Sequence, residues 1–434
     1  MKTKDKKSKS PVSADPMEYT INRPLTFEMI ISILTLFLLL IGEYFFGHYV
    51  KDFSLKLSLD LQTNIKLDYF SKLMNYGMFF GMYLYVLLIF LTRRNSESSF
   101  VLLFYSLIFQ YVQNILKLFF RELRPLHHYS GLNRDYCFGI CDYGMPSGHT
   151  LCTAGLLFML YFDVIRHNDI SKIKAFWLRV GLTMVAFFIG FSRIYIGVHT
   201  LNQIILGYAF GAAFYFIMAR NEPWILKFII WPLLYKDRFG SKSGIQNLLL
   251  VFFISNISLL SLWAYNYTYI EQFESFLLQV KKCNACMMPE MLEYNFSSKI
   301  VRETQIINFF YGMFIGISIR DFKEFRYRGL YHDKSLPKFF LRFFFFLLFG
   351  SPMLLLFVKF FDHGILILGQ ALFVSLVVGY GFTKWYFDFM LLIKLLPPVV
   401  YTQDENSEME EITREEELIQ ASIEFNKRSS IPMD

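Results

Sequence analysis

Three short stretches of this chain carry the residue types needed to handle a phosphoryl group. They are KLFFRELRP (Lys117 to Pro125), PSGH (Pro146 to His149) and SRIYIGVHTLNQ (Ser192 to Gln203). Ionisable residues inside or beside apolar runs are costly and need partners, so Lys117, Arg124, Arg193, His149 and His199 are functional candidates by position. Seven residues separate Lys117 from Arg124, about two helical turns, which predicts two cations on nearly one face about 10 Å apart. Pro125 disfavours helix at Arg124 and turns the chain there. If Ser147 to His149 open a helix, the amides of Gly148 and His149 and the positive end of the dipole make an anion site. Ser147 adds a hydroxyl donor, and Gly148 lets an anion approach the backbone. His199 and Gln203 stand four apart, on one face of a helix and within hydrogen-bonding reach. Together the cations would neutralise non-bridging oxygens, and the donors would hold charge developing in the transition state. One imidazole can attack phosphorus while the other protonates the leaving oxygen. No carboxylate cluster for a divalent cation accompanies these residues, so the expected chemistry needs neither metal nor cofactor.

The elements that must position these residues are membrane helices. Of the 434 residues, 54% are hydrophobic, 19% aromatic and only 18% charged, against about 25% charged in soluble domains. Apolar runs near 28–47, 71–92, 99–120, 148–165, 176–196, 199–219, 246–268, 305–320, 339–361 and 364–386 are each long enough to cross a core of about 30 Å or nearly so. GSP at Gly350 to Pro352 would kink or break the ninth. The start, MKTKDKKSKSPVSADP, reads as a basic tail rather than a signal peptide. Lys and Arg concentrate in that tail and in 92–95, 166–174, 220–242 and 320–328, which predicts that these lie in the cytoplasm with both termini. Loops 48–70, 121–147, 269–304 and 362–363 are then exoplasmic. All the phosphate-handling candidates fall at the exoplasmic ends of spans three to six. The net charge of +7 is a topology signal, and no nucleic-acid partner is expected.

Cys137, Cys141, Cys283 and Cys286 fall in exoplasmic loops, where an oxidising lumen would permit disulfides; Cys152 falls in a span. Asn295-Phe296-Ser297 is a glycosylation sequon on the same side.

In order and inner spacing the three stretches resemble the signature of the type 2 phosphatidic acid phosphatase superfamily, K-x6-R-P, P-S-G-H and S-R-x5-H-x3-D. The resemblance covers about residues 70–220. It implies that His199 is the nucleophile, forming a phosphohistidine that water hydrolyses, and that His149 is the general acid. It implies that Lys117, Arg124, Ser147, Gly148 and Arg193 hold the phosphate oxygens. Gln203 departs from the signature, which usually has Asp to accept from the far imidazole nitrogen and stabilise the cationic ring. A glutamine carbonyl can accept the same hydrogen bond and fix the tautomer, but brings no negative charge. The glucose-6-phosphatase and dolichyl-diphosphatase branches resemble this chain in carrying Gln there.

The expected fold is an all-α polytopic membrane helical bundle, a six-helix phosphatase core with about four additional C-terminal spans. The expected organisation is a basic cytoplasmic tail (1–24), the six-span core (25–220), the additional transmembrane region (221–396) and an acidic cytoplasmic tail (397–434). The expected activity is metal-independent removal of phosphate from a lipid phosphate or diphosphate in the bilayer, with a lumenal site, in the endoplasmic reticulum. Sphingoid-base phosphate, phosphatidate and polyprenyl diphosphate are the candidate substrates. A glucose-6-phosphatase-like sugar phosphatase, a lipid headgroup phosphotransferase and a non-catalytic lipid-binding member are the alternatives.

Overall fold

A computed structural model of the chain describes residues 25–74, 96–128, 132, 142–167, 170–234, 241–270, 296–319, 341, 344, 345, 348 and 374–392. Among these residues the regular structure is helical throughout. In chain order the helices are α1 (Leu25–Asn64), α2 (Asp68–Lys72), α3 (Ser96–Phe120), α4 (Pro125–His128), α5 (Gly148–His167), α6 (Lys172–Tyr195) and α7 (Leu201–Arg220). Then come α8 (Glu222–Ile225), a π turn (Leu226–Ile230), α9 (Trp231–Leu234) and α10 (Ser241–Tyr265) with a second π turn (Asn266–Ile270). Helices α11 (Phe296–Ile319) and α12 (Ser375–Leu392) complete the set. Six stretches, in α1, α3, α5, α6, α7 and α10, are long and apolar enough to cross a membrane, and the chain is an all-α, multi-pass protein.

Helices α3, α5 and α7 form the centre, with α5 packed against α7 and α3 and with α1 lying along α7. The stretches of α3, α5 and α7 are largely buried in protein, whereas the most apolar window of α1 buries no residue. Phe37, Phe45 and Phe46 of α1 face outward, as side chains meeting acyl chains should. Two glycines four residues apart, Gly207 and Gly211, allow α7 to approach α5. A Cβ at Gly207 would stand 2.7 Å from the Ser147 carbonyl oxygen, and one at Gly211 would stand 2.2 Å from that of Leu151. Small residues at this spacing let helix backbones meet where no hydrophobic force drives association in lipid.

Two expectations change. The first span was expected to end near residue 47 and be followed by a loop, 48–70; instead α1 runs for 40 residues to Asn64. Lys51, Asp52, Lys56 and Asp60 end the apolar run without breaking the helix, because charged residues are acceptable helix formers. The sixth span was expected to open at residue 199, but α7 begins at Leu201, with Thr200 at its N-cap in extended conformation. The expected span at 71–92 lies outside the described residues beyond Met74, as does most of 339–361. Cys137, Cys141, Cys283, Cys286 and Asn295 also lie outside them; Cys152 is buried in α5 and contacts Gln113 Oε1 at 3.2 Å.

Candidate active site

The site is built where α3 ends and α5 and α7 begin. Lys117 lies in the last turn of α3. The helix stops at Phe120, and Arg121 takes a left-handed φ of 55° while its N–H donates to the Lys117 carbonyl at 3.0 Å. A left-handed residue ends a helix and reverses the chain. Lys117 and Arg124 therefore do not share a helical face, as the seven-residue step predicted; Arg124 belongs to the segment that follows the helix. A single carboxylate gathers them. Lys117 Nζ donates to Asp142 Oδ2, and Arg124 donates twice to the same group, from Nε to Oδ1 at 2.7 Å and from Nη2 to Oδ2 at 2.9 Å. All three side chains are buried. A forked guanidinium–carboxylate pair of this kind is strong and orienting.

The remaining Arg124 nitrogen, Nη1, stands 2.9 Å from His199 Nε2 and 3.3 Å from the Val198 carbonyl oxygen. His199 precedes α7 by two residues and is buried. Its Nδ1 lies 3.0 Å from Gln203 Oε1 in the first turn of α7, the contact that the four-residue spacing predicted. The same oxygen accepts from the Thr200 N–H at 3.4 Å, so the Gln203 side chain also serves the helix start. Gln203 is fully buried and its Nε2 donates to Glu122 Oε1 at 2.7 Å and to the Leu123 carbonyl at 3.2 Å. The amide is packed against Gly144, where a Cβ would stand 2.8 Å from Gln203 Oε1.

Ser147 joins the same cluster. Its N–H donates to the Gln203 carbonyl at 3.0 Å, and its Oγ is buried without a hydrogen-bond partner among the described residues. Gly148 opens α5, and a Cβ there would run into the Gln113 side chain at 2.3 Å. A larger residue at 148 would therefore require the Gln113 side chain of α3 to move. His149 follows in the first turn of α5, within the fields of Arg193, Arg124, Lys117 and Asp142. Arg193 is buried in the last turn of α6. The structure thus brings together Lys117, Arg124, Ser147, Gly148, His149, Arg193, His199 and Gln203. Burial, then the Arg124 and Arg193 guanidinium groups, holds the His199 imidazole well below the ordinary histidine range, while the Gln203 contact pulls the other way.

Two acids at the site were not among the candidates read from the sequence. Asp142 lies four residues before Pro146, and Glu122 lies inside the K-x6-R-P stretch. In the sequence both look like ordinary loop charges. Their signal appears only in the fold, where Asp142 is 2% exposed and Glu122 is half-buried. A third acid, Glu303 of α11, comes within 3.9 Å of Lys117 Nζ, so an element beyond residue 220 reaches the site.

The comparisons with known proteins bear on this cluster. Residues 98–226 match the PAP2 superfamily, a range that contains all three stretches. A dolichyldiphosphatase of Saccharomyces cerevisiae is 27% identical over 159 residues, 34% of this chain and 64% of the relative. The chain therefore spans just under two thirds of the length of that curated relative. No solved structure matches the chain. With its three motif stretches gathered into one buried cluster inside the matched range, the chain carries a PAP2-superfamily segment at residues 98–226 and is type 2 phosphatidic acid phosphatase-like.

Proposed function

We propose that this protein is a phosphoric ester hydrolase acting on a lipid phosphate or diphosphate through a phosphohistidine at His199, without a metal ion. The observation that carries the reading is the His199 ring: Nδ1 is held by Gln203 Oε1, and Nε2 is directed at the Arg124 guanidinium 2.9 Å away. A phosphoryl group bound by Lys117, Arg124 and Arg193 would place phosphorus beside that nitrogen. The Nε2 lone pair forms the N–P bond as the P–O bond to the lipid breaks. The leaving oxygen takes its proton from protonated His149, which sits on the facing helix start. Water then attacks phosphorus, gives a proton to His149 and releases inorganic phosphate with His199 restored. Ser147 Oγ and the first-turn amides of α5 would support the equatorial oxygens.

The dolichyldiphosphatase activity of the yeast relative favours a polyprenyl diphosphate among the candidate substrates, ahead of sphingoid-base phosphate and phosphatidate. Residues 25–220 would form the catalytic core, with 221–396 as an additional membrane region. The basic loops favour a lumenal site with both termini cytoplasmic, in the endoplasmic reticulum. The test is phosphate release by purified protein, with a chelator present, from polyprenyl diphosphate, phosphatidate, sphingoid-base phosphate and glucose 6-phosphate. The expected result is release from a lipid substrate that His199→Ala lowers by at least about a thousandfold. Equal turnover by that variant would overturn the assignment, and release from glucose 6-phosphate alone would overturn the lipid class.

A further inference from the structure

The superfamily signature usually places an Asp beside the attacking histidine, and this chain has Gln203 there. The charge that is missing at 203 stands one amide further away. Glu122 Oε1 accepts from Gln203 Nε2 at 2.7 Å, and Gln203 Oε1 faces His199 Nδ1 at 3.0 Å. We propose that Glu122 is a positioning residue for His199, acting through the Gln203 amide as a carboxylate–amide–imidazole relay. This rests on the reading of His199 as the phosphatase nucleophile.

Donor and acceptor capacities fix every bond of the relay from both ends. A carboxylate and a backbone carbonyl only accept, so the Gln203 NH2 must face Glu122 and Leu123, and its carbonyl oxygen must face His199. The proton between the two is then on His199 Nδ1. From the other end, the Arg124 guanidinium only donates, so His199 Nε2 must be the bare nitrogen. Both ends select one tautomer, the one that leaves the lone pair on the side of the phosphate cradle. Once phosphorus bonds to Nε2 the ring is cationic, and the Glu122 charge two hydrogen bonds away stabilises it in surroundings where His199 and Gln203 are buried.

The surroundings are built to keep this arrangement. Gly144 leaves room for the Gln203 amide, and its N–H donates to the Glu122 carbonyl at 2.6 Å. The second Glu122 oxygen lies 3.3 Å from Lys51 Nζ, in the second half of α1. With its side chain 35% exposed, Lys51 holds the carboxylate in place while solvent screens its charge.

Exchange of charge and amide tests the relay. Glu122→Gln should lower kcat by about tenfold or more with little change in KM, as expected when a histidine loses the group that orients it. Gln203→Glu should be at least as damaging, because it sets two carboxylates against each other. The double variant E122Q/Q203E restores one carboxylate and one amide, and should recover most of the activity lost by the worse single variant. Because the double variant also relieves that repulsion, the loss of kcat at unchanged KM in Glu122→Gln is what separates the relay from a merely structural contact. Histidine 15N spectra of the full chain in nanodiscs supply a readout independent of turnover, with the His199 signals assigned by their loss in His199→Ala. The wild type should show a proton on Nδ1 and a bare Nε2, and Glu122→Gln should show the two tautomers mixed. Wild-type kcat in Glu122→Gln, no recovery in the double variant, or an unchanged His199 spectrum would each overturn the relay. If the wild type releases no phosphate from any substrate, the phosphatase reading falls and the 15N spectra alone decide the relay.

Discussion

At the scale of single residues, the site turns on keeping one imidazole neutral among cations. Burial and the Arg124 and Arg193 charges depress the His199 pKa, and a protonated ring cannot attack. On the acid side the rate therefore falls as pH drops through that depressed value. The acid limb of kcat/KM, which reports the free enzyme, should lie below the ordinary histidine value of about 6.5; a pH profile with its acid limb at or above 6.5 would speak against this. Asp142 has the complementary part. It compensates Lys117 and Arg124 in a buried place, and removing one partner from such a group costs about 3–5 kcal/mol. Asp142→Asn should lower the melting temperature, and orthovanadate should return more of it than in the wild type, since a phosphate-like anion meets the same cations. His199, the proposed nucleophile, and the cations around it were legible in the sequence because residue type and spacing repeat a recognisable pattern. Asp142 and Glu122 were not, because nothing in a linear pattern pairs residue 142 with 117 or residue 122 with 203. Those pairs exist only once Arg121 turns the chain.

At the scale of elements, the site depends on how closely α5 and α7 meet. The starts of the two helices share a backbone hydrogen bond, Ser147 N to Gln203 O at 3.0 Å, and Thr150 Oγ1 accompanies it, reaching the Ile204 carbonyl at 3.2 Å. Gly207 and Gly211 set that spacing from one and two turns further along. A Cβ at Gly211 would press on the Leu151 backbone, which cannot rotate away as a side chain can. Gly211→Val should therefore cost about 2 kcal/mol or more and lower phosphate release. The same change at Gly181, where nothing lies within 4 Å of an added Cβ, should leave thermal stability and activity near wild type. Thermal unfolding in detergent separates the two outcomes. Helix identity was legible from the apolar runs, and α3, α5, α6 and α10 fall close to their expected spans. The length of α1 was not, because hydropathy marks where lipid ends and not where a helix ends. Its extra turns are structural: Gln62 Nε2 donates to the Tyr195 carbonyl at 2.7 Å, and Ser54 Oγ accepts the Leu201 N–H at 2.9 Å. Both contacts brace the segment that carries His199.

At the scale of the whole molecule, the chain is a helical bundle whose candidate site lies at one end of its central helices. The region after residue 220 is more than an appendage. Helices α10 and α11 pack on α3, and α11 and α12 pack along each other, with Gly312 and Gly379 admitting the close approach. Glu303 is partly exposed and 3.9 Å from Lys117, so Glu303→Gln should change stability by less than about 1 kcal/mol and alter KM more than kcat. The proposed orientation puts the site and Asn295 on the same side of the membrane, and an endoglycosidase-sensitive mass that Asn295→Gln abolishes would agree with it. That the candidate residues cluster at helix ends was readable from where the motifs fall along the apolar runs, whereas the reach of α11 to Lys117 was not, since Glu303 stands 186 positions further along the chain. The most direct test of the central claim is a rapid-quench trap. Protein mixed with 32P-labelled polyprenyl diphosphate, stopped in alkali and digested, should carry alkali-stable, acid-labile label on the peptide containing His199, and His199→Ala should carry none. Phosphate release by the wild type without any such label, or undiminished release by His199→Ala, would contradict a phosphohistidine at this position.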